Sequence, residues 1–545
     1  MSVTAFFCSA LEKIFSGGQA LPAPAGAVHL LNGERGGVQL YLRADRDGPV
    51  RFSVSGAPVE TFAVKEVYAG LAIYENAENC TVLNGGKSGY YPDLLRPADG
   101  TLALEKDKAA ALFFKITADT PGSHTLCVTL TAEDGMQTLR LPVCVSDVSL
   151  PAQTVIHTDW FHADCLADRY GVPVFSEAHW RIMEAFMANA AAHGVNCLLT
   201  PLFTPPLDTA VGGERPTVQL VGVKKQGDTY TFDFSKLKRY IETAEKNGVR
   251  YFELSHLFTQ WGAKHAPKIV AETDEGQRRI FGWETDALSP EYLSFLRQLA
   301  PALRAFTDRA GVTDRCFVHC SDEPGMEDLA QYAACAAVIA ADFGCYRHID
   351  ALSDLAFFEK GLVETPVPQE GNIEAFAGRT PRLWTYYCCG QFRNELPNRF
   401  FCMPGARTRI LGALLYKYDC EGFLHWGYNF YYTQHSVRQA DPFTETDAGG
   451  AFPSGDAFVV YPGEDGAPLT SLRQQAFYAG LQDHAALRAV EAVSSRKTAL
   501  ALLEQTLGDI SFTSYPMEPA RYEAFRRALY EFLAQHGCGK TAAAD

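Results

Sequence analysis

From about residue 27 to residue 149, apolar and polar positions alternate in short runs that are separated by turns. Side chains along a β-strand point alternately to opposite faces, so this period of two predicts strands with one buried face. Turn pairs such as Pro121-Gly122 and Asp134-Gly135 separate the runs, and no long helical period intervenes. We therefore predict an antiparallel β-sandwich domain over residues 1–150. The clearest strand runs are 38–42, 50–54, 111–116 and 125–130.

After residue 151 the pattern changes to apolar runs of strand length that alternate with amphipathic segments of helix length. Such alternation predicts a parallel sheet, and eight strands at this spacing predict a (β/α)8 TIM barrel over residues 151–492. The sixth strand has the weakest signal. The predicted strands begin near Val155, Asn196, Arg250, Arg315, Cys345, Thr365, Arg382 and Gly422. The predicted helices between them are 176–193, 234–247, 290–310, 326–343 and 407–419.

The chain beyond the eighth strand is predicted to be mainly helical. One strand-like run covers residues 457–461, and helical periods follow over 472–492 and 519–535. We predict that residues 493–545 form a helical C-terminal extension of the barrel.

Composition and charge narrow the classes of function. The chain has 545 residues, of which 47% are hydrophobic, so it can form more than one core. A formal net charge of -16 argues against nucleic acid as a partner. No apolar span is long enough to cross a membrane, and the first 18 residues lack the basic start of a signal peptide. We expect a cytoplasmic protein whose 15 cysteines are reduced, with no membrane partner, and we predict no particular oligomeric state.

The C-terminal ends of the predicted barrel strands, where this fold places its functional residues, are rich in aromatic and hydrogen-bonding side chains. Sugar rings stack their apolar faces on aromatic rings, and their hydroxyl groups need polar partners. We therefore predict a carbohydrate pocket. Its candidate residues are His157, Trp160 and His162 at the first strand, Glu253 and Trp261 at the third, Trp384 and Tyr386 at the seventh, and Trp426, Tyr428 and Asn429 at the eighth.

The fourth predicted strand brings two adjacent carboxylates, Asp322 and Glu323, to its end, and Pro324-Gly325 follow at once. A conventional retaining glycosidase needs two carboxyl groups about 5 Å apart, but residues 382–390 of the seventh strand contain none. The pair therefore fits substrate-assisted catalysis, in which the 2-acetamido group of the substrate is the nucleophile. In this hypothesis Asp322 orients the acetamido nitrogen as an oxazolinium forms, and Glu323 is the general acid and base.

Two parts of the sequence resemble a known family. The Ser-Asp-Glu-Pro run at residues 321–324 resembles the catalytic Asp-Glu of glycoside hydrolase family 123. The runs 383–389, 409–411 and 422–429 are similar to DUF4091, a domain of unknown function that overlaps this family. The resemblance covers about residues 150–490, and the preceding sandwich fits the architecture of the family.

The resemblance implies an exo-acting, retaining β-N-acetylgalactosaminidase, or a related β-N-acetylhexosaminidase, whose substrate is an oligosaccharide or glycoconjugate. It implies no metal and no other cofactor. It also implies that Asp322 and Glu323 have the roles given above, and that Tyr386 and Trp426 lie in the pocket.

Other interpretations of the same residues stay open. The barrel could bind carbohydrate without catalysis, or it could be a conventional glycosidase that uses Glu323 and Glu253. The pair Asp322-Glu323 could also be the acidic start of a helix, where carboxylates favour the helix dipole. Trp261 is either a platform for a second sugar or a loop-packing residue.

Three further groups have structural interpretations. The side chains of His157, Asp159, His162 and Asp164 are of metal-binding types, but their spacing fits no standard zinc motif. The neighbours Cys388-Cys389 are predicted to lie in the core. Residues 393–399 are predicted to form a solvated loop.

Overall fold

The computed structural model describes residues 1–18 and 21–537. The N-terminal part consists of two five-stranded sheets, with strand orders β1-β3-β8-β5-β6 and β2-β10-β9-β4-β7. Leu40 and Phe114 of the first sheet share one apolar core with Val128 and Leu141 of the second, so the sheets pack face to face. The strands are β1 (Val3–Ser9), β2 (Val28–Asn32), β3 (Arg35–Ala44), β4 (Gly48–Ser55), β5 (Val59–Ala69), β6 (Gly89–Pro97), β7 (Thr101–Leu104), β8 (Ala109–Thr117), β9 (Gly122–Ala132) and β10 (Gly135–Ser149).

One strand pair departs from the antiparallel prediction. Strand β2 pairs in parallel with β10, with Val28 opposite Val143. The chain passes from one sheet to the other at the tight turn around Gly33, whose φ is +79°. Because β2 and β3 therefore lie in different sheets, β2 has no hairpin partner and lies beside the last strand of the domain.

The second part contains an eight-stranded parallel barrel in the order β20-β19-β18-β15-β12-β11-β22-β21, as predicted. The barrel is nearly closed, because the N–H of Tyr386 on β21 donates to the carbonyl of Pro368 after β20 over 3.1 Å. The strands of this part are β11 (Ile156–Asp159), β12 (Cys197–Thr200), β13 (Gly222–Gln226), β14 (Thr229–Asp233), β15 (Tyr251–Leu254), β16 (Ile269–Thr273), β17 (Gly276–Phe281), β18 (Cys316–Val318), β19 (Arg347–Ala351), β20 (Thr365–Val367), β21 (Leu383–Tyr386), β22 (Cys420–His425), β23 (Tyr461–Pro462) and β24 (Pro468–Leu469).

The barrel interior is filled by side chains from alternate strand positions. Ile156, Leu199, Phe317, Ile349 and Trp384 belong to one buried apolar cluster inside the barrel. Strands that are covered on both sides are apolar throughout, which explains why the sequence showed continuous runs rather than alternation. The interior is therefore closed below, and only the C-terminal ends of the strands are left for a site.

The helices surround the barrel unevenly. Helix α4 has the predicted bounds, whereas the predicted helix 407–419 is divided at Ile410 into α8 and α9. The four-residue helices α6 and α7, together with α1, were not predicted, whereas α11 lies within the predicted helical extension. The helices are α1 (Ala163–Tyr170), α2 (Glu177–Ala192), α3 (Ser235–Lys246), α4 (Pro290–Ala310), α5 (Leu329–Asp342), α6 (Ala356–Glu359), α7 (Ile373–Phe376), α8 (Gly405–Arg409), α9 (Leu411–Lys417), α10 (Leu472–Val493), α11 (Arg496–Leu507) and α12 (Pro519–His536).

Two insertions and one short strand differ from the sequence prediction. The hairpins β13–β14 and β16–β17 interrupt the barrel and form a separate sheet in the order β14-β13-β16-β17. Strands β13 and β17 are mostly polar and at least partly exposed, so they lack the apolar runs by which the barrel strands were found. Of the predicted strand 457–461, only Tyr461 lies in a strand, the two-residue β23.

The C-terminal helices join the two parts of the molecule. On α10, Arg473 binds Asp93 of β6 through two hydrogen bonds of 2.9 and 3.0 Å, and both side chains are buried. On α12, Arg526 binds Glu34 of the sandwich and, at 3.3 Å, Asp483 of α10. Helices α10 and α12 therefore bridge the sandwich and the barrel. Residues 538–545 of the predicted extension lie outside the described residues.

Within the described ranges, no helix is both long and apolar enough to cross a membrane. The 14 cysteines in these ranges form no disulfide with one another.

Candidate active site

A cavity of about 170 Å³ opens at the C-terminal ends of the barrel strands. Seven of the residues predicted from sequence line it: Trp160, His162, Trp261, Asp322, Glu323, Tyr386 and Trp426. Tyr386 is the last residue of β21, and the other six lie in loops that follow four further strands, which is how this fold assembles a site. Asp208, Gln260, Cys388, Cys389 and Phe452 complete much of the remaining wall.

Asp322 and Glu323 line the same cavity although they are sequence neighbours. Strand β18 ends at Val318, so the strand alternation that would point them to opposite sides no longer applies. The backbone of Glu323 is left-handed, with φ of +46°. Its N–H donates to the carbonyl of Ala351 over 3.0 Å, while the N–H of Trp261 donates to the carbonyl of Asp322 over 2.9 Å. These bonds hold a conformation that non-glycine residues rarely adopt, and such strain is common at functional sites.

The two carboxylates differ in environment. Asp322 is half-buried, and Glu323 is exposed at the mouth of the cavity. Burial and the adjacent Glu323 carboxylate raise the pKa of Asp322 well above its usual range. The hydroxyl of Tyr386 donates to Glu323 Oε1 over 2.5 Å. Burial and that carboxylate raise the pKa of Tyr386, so the hydroxyl stays a donor at neutral pH.

Glu253 lies beneath the cavity, where both of its carboxylate oxygens accept hydrogen bonds. Oε1 accepts from the indole N–H of Trp160 over 2.7 Å and from His319 Nε2 over 2.6 Å, and Oε2 accepts from the hydroxyl of Thr158. Glu253 is fully buried and does not line the cavity. Its carboxylate therefore orients Trp160 and is not presented to a ligand.

His319 is held as a cation between two carboxylates. Its Nε2 faces Glu253, and its Nδ1 lies 3.0 Å from Asp350 Oδ1. Burial would lower the pKa of His319, but Glu253 and Asp350 raise it to about 10. His256, which stacks on it at 4.2 Å between ring centroids, forms with His319 and Asp350 a cluster of metal-binding types. Because both His319 nitrogens face carboxylates, His319 does not offer the lone pair that a metal ligand needs.

Two tryptophans present their rings to the cavity. The indole N–H of Trp426 donates to the buried Asp456 over 2.9 Å, as that of Trp160 does to Glu253. Trp261 differs, since it stands at the mouth, is 45% exposed and has a left-handed backbone with φ of +55°. Its ring lies nearly perpendicular to that of His435, with 6.0 Å between the ring centroids. The two inner indoles are thus fixed by hydrogen bonds, whereas Trp261 is free to meet solvent or ligand.

A buried ion pair anchors the loop between β12 and β13. Arg215 binds both carboxylate oxygens of Asp164 over 2.7 and 2.8 Å, and each side chain is only 2% exposed. Arg215 also donates to His162 Nδ1 over 3.1 Å, while His162 Nε2 bonds to the carbonyl of Trp426 over 2.8 Å. Burial and Arg215 lower the pKa of His162 to about 4, so the ring is neutral. Arg215 was not found from the sequence, because it lies in an aperiodic loop.

Besides Glu253, four predicted residues lie away from the cavity wall. His157 packs on Phe477 at 4.6 Å between ring centroids, and burial lowers its pKa to about 4. Trp384 points into the barrel below Tyr386, where its indole covers Gly422, a position at which a Cβ would lie 2.3 Å from the ring. Both are packing residues in this structure.

Tyr428 and Asn429, the other two, support their surroundings. The hydroxyl of Tyr428 donates to the carbonyl of Phe186 on α2 over 3.1 Å. The side chain of Asn429 accepts from the N–H of His162 over 2.8 Å and donates to its carbonyl over 3.1 Å. Asn429 therefore positions a wall residue without lining the cavity itself.

Two structural interpretations from the sequence are wrong. Cys388 and Cys389 do not lie in the core but line the cavity and are half-buried, because the chain leaves β21 two residues earlier and turns over the barrel mouth. The segment 393–399 is not solvated throughout, since Arg399 is buried. It donates to Asp159 over 2.7 and 3.2 Å and to His425 Nδ1 over 2.7 Å. Burial would raise the pKa of Asp159, but Arg399 holds it well below its usual range.

The sandwich also supports the site. Its loop after β5 reaches the segment that follows β22, where the N–H of Leu71 donates to Asp447 over 2.9 Å. The N–H of Ser454 donates to the carbonyl of Leu71 over 2.7 Å. The hydroxyl of Tyr74 donates to the carbonyl of Ala451, also over 2.7 Å. The braced segment carries Phe452 and Asp456, so the N-terminal domain fixes one wall of the cavity.

Comparisons with known proteins identify a matching family and a protein with a similar fold. The model of the glycoside hydrolase 123 catalytic domain matches residues 160–490. The chain is similar to a family 123 glycoside hydrolase from Clostridium perfringens, whose structure was described for glycolipid glycan hydrolysis. The TM-score is 0.76 at 14% identity, with 98% of this chain and 99% of that chain covered. This likeness shows a shared fold.

Two β-glucuronidase structures are less similar. The enzyme from Parabacteroides merdae has a TM-score of 0.31 at 10% identity, with 84% of this chain and 51% of that chain covered. β-Glucuronidase 3 from Bacteroides uniformis has a TM-score of 0.31 at 10% identity, with 83% and 51% covered. No curated protein sequence matched.

Proposed function

Because this chain belongs to glycoside hydrolase family 123, a family of glycosidases, we propose that it removes a terminal β-linked N-acetylgalactosamine, or a related N-acetylhexosamine, from a glycan. The proposed reaction retains the anomeric configuration and uses the 2-acetamido group of the substrate as the nucleophile. The observation that carries this proposal is that Asp322 and Glu323 line one cavity together. Glu253, the carboxylate that a conventional mechanism would need, is buried and bonded elsewhere.

In the first proposed step, a carboxyl oxygen of Asp322 accepts a hydrogen bond from the acetamido N–H and orients the carbonyl oxygen toward C1. That oxygen forms a bond to C1 while the bond from C1 to the leaving oxygen breaks, and Glu323 donates its proton to the leaving oxygen. An oxazolinium ion results. In the second step, water attacks C1 while the bond between C1 and the acetamido oxygen breaks. Glu323 accepts the proton from this water, and the neutral acetamido group is restored.

The remaining wall supports this assignment. The ring faces of Trp160 and Trp426 suit the apolar face of a pyranose. The hydroxyl of Tyr386 bonds to Glu323 and stabilises the carboxylate that appears as the proton leaves. A cavity of about 170 Å³ that is closed below suits one terminal sugar, which favours exo-action. Trp261 at the mouth is suited to contact the next group of the substrate.

A panel of 4-nitrophenyl N-acetyl-β-hexosaminides tests the proposal. We expect the wild type to hydrolyse the galactosaminide, and Glu323→Gln to lose about 100- to 10,000-fold in kcat/KM. With an activated leaving group that needs no proton, the loss should largely disappear. Glu327→Gln is the matched control, since Glu327 is an exposed carboxylate four residues along the same loop.

Asp322→Asn separates the mechanisms. We expect a loss of about 100- to 1,000-fold on acetamido substrates and strong inhibition of the wild type by a thiazoline analogue of the acetamido sugar. Equal hydrolysis of a substrate without the 2-acetamido group would contradict substrate assistance. Survival of every glycoside through long incubation, with retained sugar binding, would instead indicate a non-catalytic carbohydrate-binding protein.

A further inference from the structure

Asp208 and Gln260 form a second polar pair on the cavity wall, separate from the catalytic carboxylates. The backbone N–H of Asp208 donates to Gln260 Oε1 over 2.7 Å. This bond fixes which end of the Gln260 amide is the oxygen and which is the Nε2 donor. Gln260 is only 5% exposed, and its Nε2 makes no hydrogen bond with any described residue. A buried donor without a partner costs free energy, so an acceptor on a ligand would relieve it.

Asp208 presents an acceptor beside that donor. Its Oδ2 accepts the N–H of His435 over 3.1 Å, and the hydroxyl of Ser436 donates to its carbonyl over 2.7 Å. Its Oδ1 lies 3.8 Å from His435 Nδ1, which is too far for a hydrogen bond. The backbone of Asp208 is left-handed, with φ of +40°. The carboxylate is therefore fixed by its neighbours while one oxygen remains available at the cavity.

A donor and an acceptor side by side match a hydroxyl group, which accepts one hydrogen bond and donates another. The position of this hydroxyl follows from the proposed function, on which this inference rests. With Asp322 and Glu323 at C2 and C1 of the sugar, the far edge of the pyranose carries the 4- and 6-hydroxyls. The loops of Asp208 and Gln260 follow β12 and β15, the strands next to β18 on one side of the barrel. We propose that Asp208 and Gln260 bind the 4- or 6-hydroxyl of the terminal N-acetylhexosamine and so determine specificity.

The test combines Asp208→Asn with deoxy sugars. The kcat/KM of wild type and variant is measured on 4-nitrophenyl N-acetyl-β-galactosaminide and on its 4-deoxy and 6-deoxy analogues. We expect Asp208→Asn to lose about 10- to 100-fold on the parent substrate. On the analogue that lacks the bound hydroxyl, the variant and the wild type should agree within about threefold. Asp228→Asn, an exposed aspartate in the turn between β13 and β14, is the matched control.

Two results overturn the inference. One is an equal loss on all three substrates, which would make Asp208 a catalytic or structural residue. The other is no loss on the parent. If the wild type hydrolyses none of these glycosides, the proposed function fails, and the same comparison is made on the Kd of free N-acetylgalactosamine and its 4-deoxy and 6-deoxy forms. There the hydroxyl-specific loss would still support this inference, and absence of sugar binding would overturn it as well.

Discussion

Tyr386→Phe removes one hydroxyl from the cavity and little else. That hydroxyl donates to Glu323 Oε1 over 2.5 Å, and the ring is buried among the interior side chains of the barrel. Phenylalanine keeps the ring and its packing. Because Glu323 is exposed at the mouth, water can replace the lost donor in the resting enzyme, and we expect the free energy of unfolding to change by less than about 1 kcal/mol.

The effect on catalysis should be larger than the effect on stability. As the glycosidic bond breaks, Glu323 loses its proton, and a carboxylate forms next to the Tyr386 hydroxyl. A hydrogen bond to a charged group contributes about 1.5–3 kcal/mol, and each 1.36 kcal/mol changes a rate tenfold. We therefore expect kcat/KM to fall about 10- to 150-fold, because kcat/KM reports on the steps up to the first irreversible bond cleavage.

The assay compares two leaving groups and two neighbouring tyrosines. With a 2,4-dinitrophenyl leaving group, which needs little protonation, the loss should shrink toward zero. Tyr387→Phe is the control, since Tyr387 packs on Phe423 on the other face of the strand and its hydroxyl makes no hydrogen bond with any described residue. A loss below threefold for Tyr386→Phe, an equal loss with both leaving groups, or an equal loss for Tyr387→Phe would refute the reasoning.

The other predictions concern charges and thiols at the cavity. The pKa of Asp322 is raised in the folded protein, so its bound proton stabilises the fold at low pH, and this contribution is lost as pH rises through that pKa. Asp322→Asn should therefore raise Tm at pH 8 and leave Tm unchanged at about pH 3. Equal Tm values at pH 8 would contradict this. Arg215→Leu leaves Asp164 buried without its cation, so urea unfolding should show that the free energy of unfolding falls by about 3–5 kcal/mol. A fall of less than about 1 kcal/mol would contradict this. Cys388 and Cys389 line the cavity together, so a trivalent arsenical that binds two thiols should block hydrolysis. Cys388→Ser and Cys389→Ser should each resist the arsenical. Undiminished inhibition of both variants would contradict the placement of the two thiols at the cavity.

The local pattern of residues was sufficient to predict those elements whose structure is determined by one short stretch of sequence. Helix α4 begins at Pro290 after Ser289 and ends before Gly311, whose φ is +67°, so both ends carry standard signals. The barrel strands were found because burial on both faces makes them continuously apolar. Asp322 and Glu323 were found for a related reason, since they interrupt such a run at the end where this fold has its site.

The rest of the site depends on contacts that no local pattern encodes. Arg399 binds Asp159 across 240 positions of sequence, and a single arginine in a loop is by default expected to be solvated. Asp208 belongs to a long aperiodic loop, and it contacts Gln260, 52 positions further along the chain, only in the folded barrel. Cys388 and Cys389 were predicted to lie in the core because no neighbour in the sequence suggested a reactive thiol, but the chain turns just beyond β21 and brings them to the cavity. Long-range pairing and loop direction therefore account for these errors.

The same buried hydrogen bonds orient the two inner tryptophans of the cavity and keep Glu253 from acting as the nucleophile. The indole N–H of Trp160 is donated to Glu253, and that of Trp426 to Asp456, so both N–H groups point away from the cavity and leave the apolar ring faces for a sugar. A carboxylate as deeply buried as Glu253 needs a cation, which His319 supplies. To act as a nucleophile, Glu253 would have to leave its three partners, Trp160, His319 and Thr158, and Trp160 would lose the bond that orients it. The arrangement that builds the sugar wall thus removes Glu253 from the reaction, and this is the structural reason for assigning the nucleophile to the substrate.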